Sequence, residues 1–261
     1  MAINKTLVSA AVCAAVALTL TGCSKSDGGT SDKAGKATPS ASPSPAKPVD
    51  PFAGMTADQI ADKSLDVTKA VDSLKAKVTD TVEKVPETFE VVVSKTGECD
   101  GTLTSEGASL QFRHAAKAYY LKGDEKYWRQ GEEGTPKEEV DAMVEILKGR
   151  WVQMPQADAE AEGMTEMCDS DGLLDVGDDV TGLTRGADTT VDGQPAAVLT
   201  KKNGAETTTL YVAAKGEPYL LKYTVVGGEA PASGDFADFG KPVTVTPPPA
   251  DQIVDLDKLG G

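Results

Sequence analysis

The sequence of 261 residues is poor in histidine, aromatic residues and positive charge. One histidine excludes any catalytic or metal site that needs two. Aromatic residues make up 5%, which argues against a stacking surface for single-stranded nucleic acid. The net charge of −15 argues against binding a phosphate backbone. The motifs G-x-S-x-G, H-E-x-x-H, G-x-G-x-x-G and the P-loop are also absent. We therefore expect that the protein is not an enzyme, holds no cofactor or metal, and has no nucleic-acid partner.

Two weak signals for chemistry have simpler explanations. His114 would be the general base of any Ser-His-Asp hydrolase here, but it alternates with Leu110 and Phe112 in a predicted strand, which favours a structural role. The acidic run at residues 169–179 offers oxygen ligands of the kind that calcium prefers. It lacks the glycine spacing of an EF-hand loop, so solvated loop carboxylates are the favoured interpretation.

The sequence also lacks an apolar run long enough to cross a bilayer. The longest run, Leu7–Leu20, has 14 residues and follows a lysine, which is typical of the apolar region of a secretory signal. It ends in Leu20-Thr21-Gly22-Cys23, which resembles the bacterial lipobox. We therefore predict a signal peptide over 1–22 and a lipid on Cys23. The alternative is an ordinary secreted protein with a chance cysteine at that position.

The segment after Cys23 has almost no residues that could form a core. Residues 24–50 are rich in Ser, Pro, Gly and Lys, and Val49 is their one sizeable apolar residue. Such a composition cannot offset the entropy of ordering. We expect residues 23–50 to be a lipidated, disordered tether and residues 51–261 to be one folded domain. The protein would then be a monomer anchored by lipid to the outer face of the cell membrane.

Two cysteines remain in the predicted domain, Cys99 and Cys168. An exported chain meets oxidising conditions, so an even pair predicts one disulfide. A redox or metal role is disfavoured because there is no C-x-x-C motif and only one histidine.

Periodicity predicts helices followed by short strands. A capping box at Thr56 and helical spacing of apolar residues predict a helix over 56–82, and Thr135 with Pro136 predicts another over 135–148. Residues 156–177 suggest a short helix or loop. About ten strands are predicted; the segments are FEVVVSK, GTLTSEG, SLQFRHA, KAYYLKG, EKYWRQ, WVQM, DTTV, PAAVLTKK, ETTTLYVAA, PYLLKYTVV and PVTVT, with a tail that leaves the sheet. This order indicates an α+β fold.

The order and spacing of these segments resemble a known family. A lipobox and Ser/Pro tether, the pair AYYLKGDEKYWRQ, the strand WVQM, and DTTVDGQPAAVLTKK running into TLYVAAKGEPYLLKYTVV are similar to the LppX/LprG group of envelope lipoproteins. The resemblance covers most of residues 55–250. It implies a single curved antiparallel sheet, a half-barrel, with helices on its concave face. It also implies an apolar cavity that holds an acylated lipid or glycolipid.

Under this resemblance, the apolar stripe of the second helix would close the cavity. The expected lining residues are Phe112, Val140, Met143, Val144, Leu147 and Tyr211. The alternative is that these residues form an ordinary closed core, in which case the protein would be an interaction or sensor lipoprotein on the same fold.

Overall fold

A computed structural model describes residues 50–254, apart from 83, 131–133, 155, 162–163 and 175–179. The predictions for residues 1–49, including the signal peptide, the lipid on Cys23 and the tether, lie outside the described residues. Within them, no helix is both long and apolar enough to span a bilayer.

Most of the described chain belongs to one open sheet of thirteen strands. The strand order is β13-β6-β5-β4-β3-β2-β1-β12-β11-β10-β9-β7, with β8 paired to β9, and every pair is antiparallel except β13 with β6. The strands are β1 Ser73–Val82, β2 Val85–Ser94, β3 Cys99–Ser105, β4 Ala108–Ala115, β5 Ala118–Gly123, β6 Trp151–Met154, β7 Thr184–Arg185, β8 Thr189–Val191, β9 Gln194–Asn203, β10 Glu206–Ala213, β11 Leu220–Val226, β12 Ala232–Ala237 and β13 Ile253–Val254.

The helices pack against one face of this sheet. α1 contacts β10 and β11, α2 contacts β4 and β5, α4 contacts β5, α5 contacts β1, and α3 packs on α2. Their bounds are α1 Ala57–Lys69, α2 Glu125–Gln130, α3 Lys137–Leu147, α4 Gln156–Ala161 and α5 Ser170–Leu173, with short 3₁₀ turns at Met164–Cys168 and Ala250–Gln252. The predicted α+β half-barrel, with helices on the concave face of a curved sheet, is confirmed.

The main core lies between the concave face and α1. Ile60 and Ala61 of α1 are fully buried in the same apolar cluster as Leu199 of β9 and Leu210 of β10. Thr68 fixes the end of the helix, because its hydroxyl accepts a hydrogen bond from the backbone N–H of Leu220 at 2.9 Å. The helix is therefore held to the sheet by apolar burial and by one buried polar contact.

The predicted capping box is confirmed, but the predicted length of the first helix is wrong. Thr56 and Gln59 bond reciprocally, and the helix ends at Lys69, after which residues 73–82 form β1. Leu74 and Val78 are four residues apart, which fits one face of a helix and equally one face of a strand. The β-strand wins because its inward residues pair in register with β2 and β12.

EKYWRQ is a helix rather than the predicted strand. Asp124 acts as its N-cap, since its carboxylate accepts a hydrogen bond from the N–H of Tyr127 at 2.7 Å. Tyr127 and Trp128 lie directly over Gly123, where a side chain would collide with both rings. Thr135 does not cap α3 as predicted, because Pro136 occupies the N-cap without a side-chain hydrogen bond.

The C-terminal predictions are wrong in two places. PVTVT, at 242–246, forms no strand, and its place in the sheet is taken by β12, whose sequence ASGDFA carries little β signal. Pro242 and the prolines at 247–249 lack the N–H that a sheet ladder requires. The tail does not leave the sheet at once, because Ile253–Val254 pairs in parallel with Trp151 and Val152. The predicted hairpin at Asn203-Gly204 is confirmed.

The convex face carries a continuous row of hydroxyl side chains. Nine neighbouring strands each place one Thr or Ser at the same register position, and two of these hydroxyls, on Thr79 and Thr88, lie 3.3 Å apart. Alternation along a strand directs these residues away from the concave face. The row contains Thr184, Thr200, Thr209, Thr224, Ser233, Thr79, Thr88, Thr104 and Ser109. The middle of the outer face is therefore polar along this row, while two smaller apolar clusters, one around Trp151 and one around Ala213, lie toward the ends of the sheet.

Candidate functional site

An open cleft of about 530 Å³ lies between the concave face and the segment 164–173. Its floor comes from the adjacent strands β1, β2 and β3 and from β11, and its roof comes from the 3₁₀ turn and α5. The floor residues are Val78 and Asp80 on β1, Glu87 and Phe89 on β2, Leu103 on β3 and Tyr223 on β11; the roof residues are Glu166, Met167, Gly172 and Leu173.

Strand register places the apolar floor residues side by side. Val78 pairs with Phe89, and Phe89 pairs with Leu103, so three inward side chains on consecutive strands form one apolar row. Two glycines make room for the aromatic rings around it. Gly101 lies under the ring of Phe112, and Gly234 lies under the ring of Tyr223, where a Cβ would come within 2.2 Å of a ring carbon in each case.

Phe112 packs beside the cleft, on the same inward face of the sheet. Its ring stacks on Phe89 with centroids 5.1 Å apart, and Phe112 itself is fully buried. The Phe89 ring is thereby held between Phe112 and the open space of the cleft. The sequence predicts Phe112 in the lining; the structure places it on the same inward face, next to the lining residue Phe89 but not among the residues that line the cleft.

The roof is fixed to the sheet by the predicted disulfide, which is confirmed. Cys99 on β3 and Cys168 at the end of the 3₁₀ turn are joined, with their Cα atoms 5.5 Å apart. Both cysteines are buried, and so is Leu174 just beyond α5. Asp169 begins α5 by accepting a hydrogen bond from the N–H of Asp171 at 3.0 Å. The roof is therefore a short, covalently anchored segment and not a long helix.

Two carboxylates stand opposite each other at the mouth of the cleft. Asp80 on β1 pairs in register with Glu87 on β2, and both belong to the inward face. Burial, together with the negative charge of Glu87, raises the pKa of the Asp80 carboxyl above its ordinary value. Glu166 adds a third carboxylate from the roof. The cleft is apolar along its floor and acidic at its rim.

The α3 stripe lies elsewhere. Val140, Val144 and Leu147 are buried, and Leu147 packs with Val152 of β6 and Val254 of β13 in a cluster that also receives Met143. Tyr211 of β10 belongs to a cluster built around Ala196, Ala213 and Leu221, apart from the main core. The structure thus does not bring the α3 residues and Tyr211 together with the cleft.

His114 has structural contacts. Its Nδ1 lies 2.7 Å from the carbonyl oxygen of Gly97, and its ring stacks on Tyr119 with centroids 4.2 Å apart. No group of three or more His, Cys, Asp or Glu side chains in the described part of the chain is placed to hold a metal ion.

Comparison with known proteins finds similar folds at low identity. Lipoprotein LppX of Mycobacterium tuberculosis is 16% identical over 73% of this chain and 98% of its own, with a TM-score of 0.47. LprF of Mycobacterium bovis is 16% identical over 74% of this chain and 96% of its own, with a TM-score of 0.49. MucB is 13% identical over 76% of this chain and 62% of its own, with a TM-score of 0.32.

No family model matches the sequence, and a search of curated proteins by sequence finds no match. The likeness to LppX and its relatives that the sequence indicates is found in the fold as well. It is a likeness of fold alone, at TM-scores below 0.5.

Proposed function

We propose that this protein is a lipid-anchored envelope lipoprotein that holds the acyl chain of a lipid or glycolipid in the cleft under segment 164–173. The observation that carries this proposal is the open apolar floor formed by Val78, Phe89 and Leu103. Packed interiors rarely keep voids larger than a water molecule, whereas ligand sites run to about 300–1,000 Å³. An acyl chain in this space would gain about 0.8 kcal/mol for each CH₂ removed from water.

The predicted anchor suits this role. A lipid on Cys23 would hold the chain at the membrane, and a random coil of 27 residues spans about 29 Å. The mouth of the cleft would then remain within reach of the bilayer surface, where acylated lipids are found. Neither the anchor nor the tether lies in the described residues, so both belong to the proposal.

The alternative function, a closed-core interaction or sensor lipoprotein, has one observation in its favour. The interior around α3 is closed, because Val144 is buried and Leu147 packs against Val152 and Val254 at the end of the sheet. The two hypotheses therefore differ at the cleft, and an experiment must address the cleft directly.

A ligand-binding test can use residues 48–261, which form one compact unit with its own core and disulfide. This fragment is purified from an oxidising compartment, analysed by native mass spectrometry with lipid extraction, and titrated with a fluorescent fatty acylglycerol. Leu103→Trp fills the floor of the cleft, and Thr102→Trp adds the same side chain to the opposite face of β3.

The expected result is co-purifying lipid and saturable probe binding in the parent. Leu103→Trp should lower both, while Thr102→Trp should leave both unchanged. If the parent carries no lipid and does not bind the probe, the carrier proposal is wrong and the closed-core alternative is favoured. An equal loss of lipid and probe binding in the two tryptophan variants would also contradict binding in the cleft, since Thr102 does not face it.

A further inference from the structure

Three carboxylates, those of Asp80, Glu87 and Glu166, line the mouth of the cleft. Among the ion pairs that the described residues form, none involves Asp80, Glu87 or Glu166. Asp80 and Glu87 are nevertheless directly opposite each other in the β1–β2 register. Like charges at opposed positions on one face of a sheet are destabilising.

The opposite face of the same strands is arranged differently. Lys77 on β1 bonds to Glu90 on β2 at 2.6 Å, and Lys222 on β11 bonds to Asp235 on β12 at 2.7 Å. On the convex face, the carboxylates of these neighbouring strands are therefore neutralised by lysines. At the cleft the two carboxylates remain opposed, and the pKa of Asp80 is raised first by burial and second by the negative charge of Glu87. The mouth of the cleft therefore carries three carboxylates that form no ion pair within the described residues.

A negative rim around an apolar floor distinguishes between amphiphiles by their headgroups. An acyl chain that lies on the floor row of Val78, Phe89 and Leu103 would bring its headgroup toward the carboxylates. Asp80 lies two residues after Val78 on β1, and Glu87 lies two residues before Phe89 on β2, so both carboxylates are on the same face as the floor. An ammonium headgroup would receive the missing positive partner. A hydroxyl headgroup could donate hydrogen bonds, whereas a carboxylate or phosphate would add to the repulsion.

We infer that Asp80, Glu87 and Glu166 make the cleft selective for amphiphiles with an amine-bearing headgroup, with uncharged hydroxyl headgroups second and anionic headgroups disfavoured. This inference rests on the proposed function and adds the class of ligand to it. The selectivity comes from the carboxylates, while the affinity comes from the apolar floor. Removing a carboxylate should therefore change the order of ligands without abolishing binding.

The test uses three ligands with the same acyl chain length: dodecylamine, monolauroylglycerol and laurate. Each is used below its micelle concentration to displace the fluorescent acylglycerol from residues 48–261 at neutral pH and low salt. We expect dodecylamine to bind about tenfold more tightly than monolauroylglycerol, and laurate about tenfold more weakly. Raising the salt concentration should narrow these differences because the rim is open to solvent.

Two variants assign the selectivity to the rim. We call the ratio of the dissociation constants of laurate and dodecylamine the spread. Asp80→Asn and Glu87→Gln should each reduce this spread several-fold, with little change in the dissociation constant of monolauroylglycerol. Glu90→Gln is the matched control, since it removes the same charge from the same strand β2 on the face away from the cleft. It should leave the spread as it is in the parent.

The possible results separate this inference from the function on which it rests. If monolauroylglycerol binds but laurate and dodecylamine bind equally well, the selectivity inference is wrong and the lipid-binding proposal stands. The same conclusion follows if Glu90→Gln narrows the spread as much as Asp80→Asn, because the effect would then be one of net charge. If none of the three ligands displaces or replaces the probe, both proposals fail.

Discussion

Gly101→Ala should destabilise the protein, because the added methyl group would collide with two neighbours on the sheet. A Cβ at Gly101 would lie 2.2 Å from Cζ of Phe112 and 2.7 Å from the carbonyl oxygen of Glu90. Neither neighbour can yield easily. The Phe112 ring is fully buried and stacked on Phe89, and the Glu90 carbonyl belongs to β2, which is paired on both sides by β1 and β3.

Overpacking of this kind costs about 1–3 kcal/mol. A backbone carbonyl is one of the two obstacles, so we expect the upper part of that range. For a domain of about 200 residues, the thermal midpoint should fall by about 4–10 °C. Displacing the Phe112 ring should also push Phe89 into the cleft. Binding of the fluorescent acylglycerol should therefore weaken in the same variant.

The assay is urea-induced unfolding followed by circular dichroism, with the disulfide intact. Gly186→Ala is a suitable control, because the nearest atom to its added Cβ is 3.8 Å away and its φ is not positive; its free energy of unfolding should change by less than about 0.5 kcal/mol. Combining Gly101→Ala with Phe112→Leu should cost less than the sum of the two single changes. A Gly101→Ala variant as stable as the control would refute the reasoning.

Three further predictions address the anchor, the disulfide and the rim. Replacing both Cys99 and Cys168 with Ala should lower the free energy of unfolding by about 4 kcal/mol on the chain-entropy model, since the bond closes a sequence separation of 69 residues; a urea midpoint unchanged from the parent would contradict this. Asp80→Asn should stabilise the domain at neutral pH by less than about 1 kcal/mol, because the raised pKa of Asp80 makes its charged form unfavourable and the group is only partly buried. That gain should disappear as the pH falls below the ordinary carboxyl range, where Asp80 is protonated in both the folded and the unfolded state, and a gain that persists there would argue against a charge effect. Cys23→Ala should abolish metabolic acyl labelling and membrane recovery of the full chain, and unchanged labelling would exclude the lipobox interpretation.

The parts of the fold that the sequence predicts correctly are those where the local sequence is compatible with only one backbone structure. The hairpin at Asn203-Gly204 and the capping box at Thr56 each depend on a few residues with specific backbone chemistry. The β1 strand carries two compatible signals. Leu74 and Val78 fit a helical face, while their alternation with lysines and threonines fits a strand, and pairing with β2 and β12 decides between them. That pairing is not visible in the local sequence.

The sequence predicts that an apolar site exists, but it does not predict which residues line the site. The α3 stripe has the periodicity of a helix that covers a core, and it does so at the end of the sheet beside β6. The actual roof is the short segment 164–173, whose few apolar residues are spaced irregularly among acids. Its position follows from the disulfide to β3, so the pairing of Cys99 with Cys168 was the sequence signal that could have found it.

The same register that forms the floor of the cleft also explains why its two ends differ. Going along β1 toward its end, the inward residues change from Leu74 and Ala76, which are buried in the main core, to Val78 in the cleft and then to Asp80 at the rim. The partners on β2 change in the same order, from valine through Phe89 to Glu87. Two strands thus change together from closed core to open apolar floor to charged rim. If Asp80 were an acidic surface residue without a function, nothing would favour a second acid directly opposite it on β2. The repulsion between the Asp80 and Glu87 carboxylates destabilises the free protein, and a ligand with a positive headgroup would relieve it.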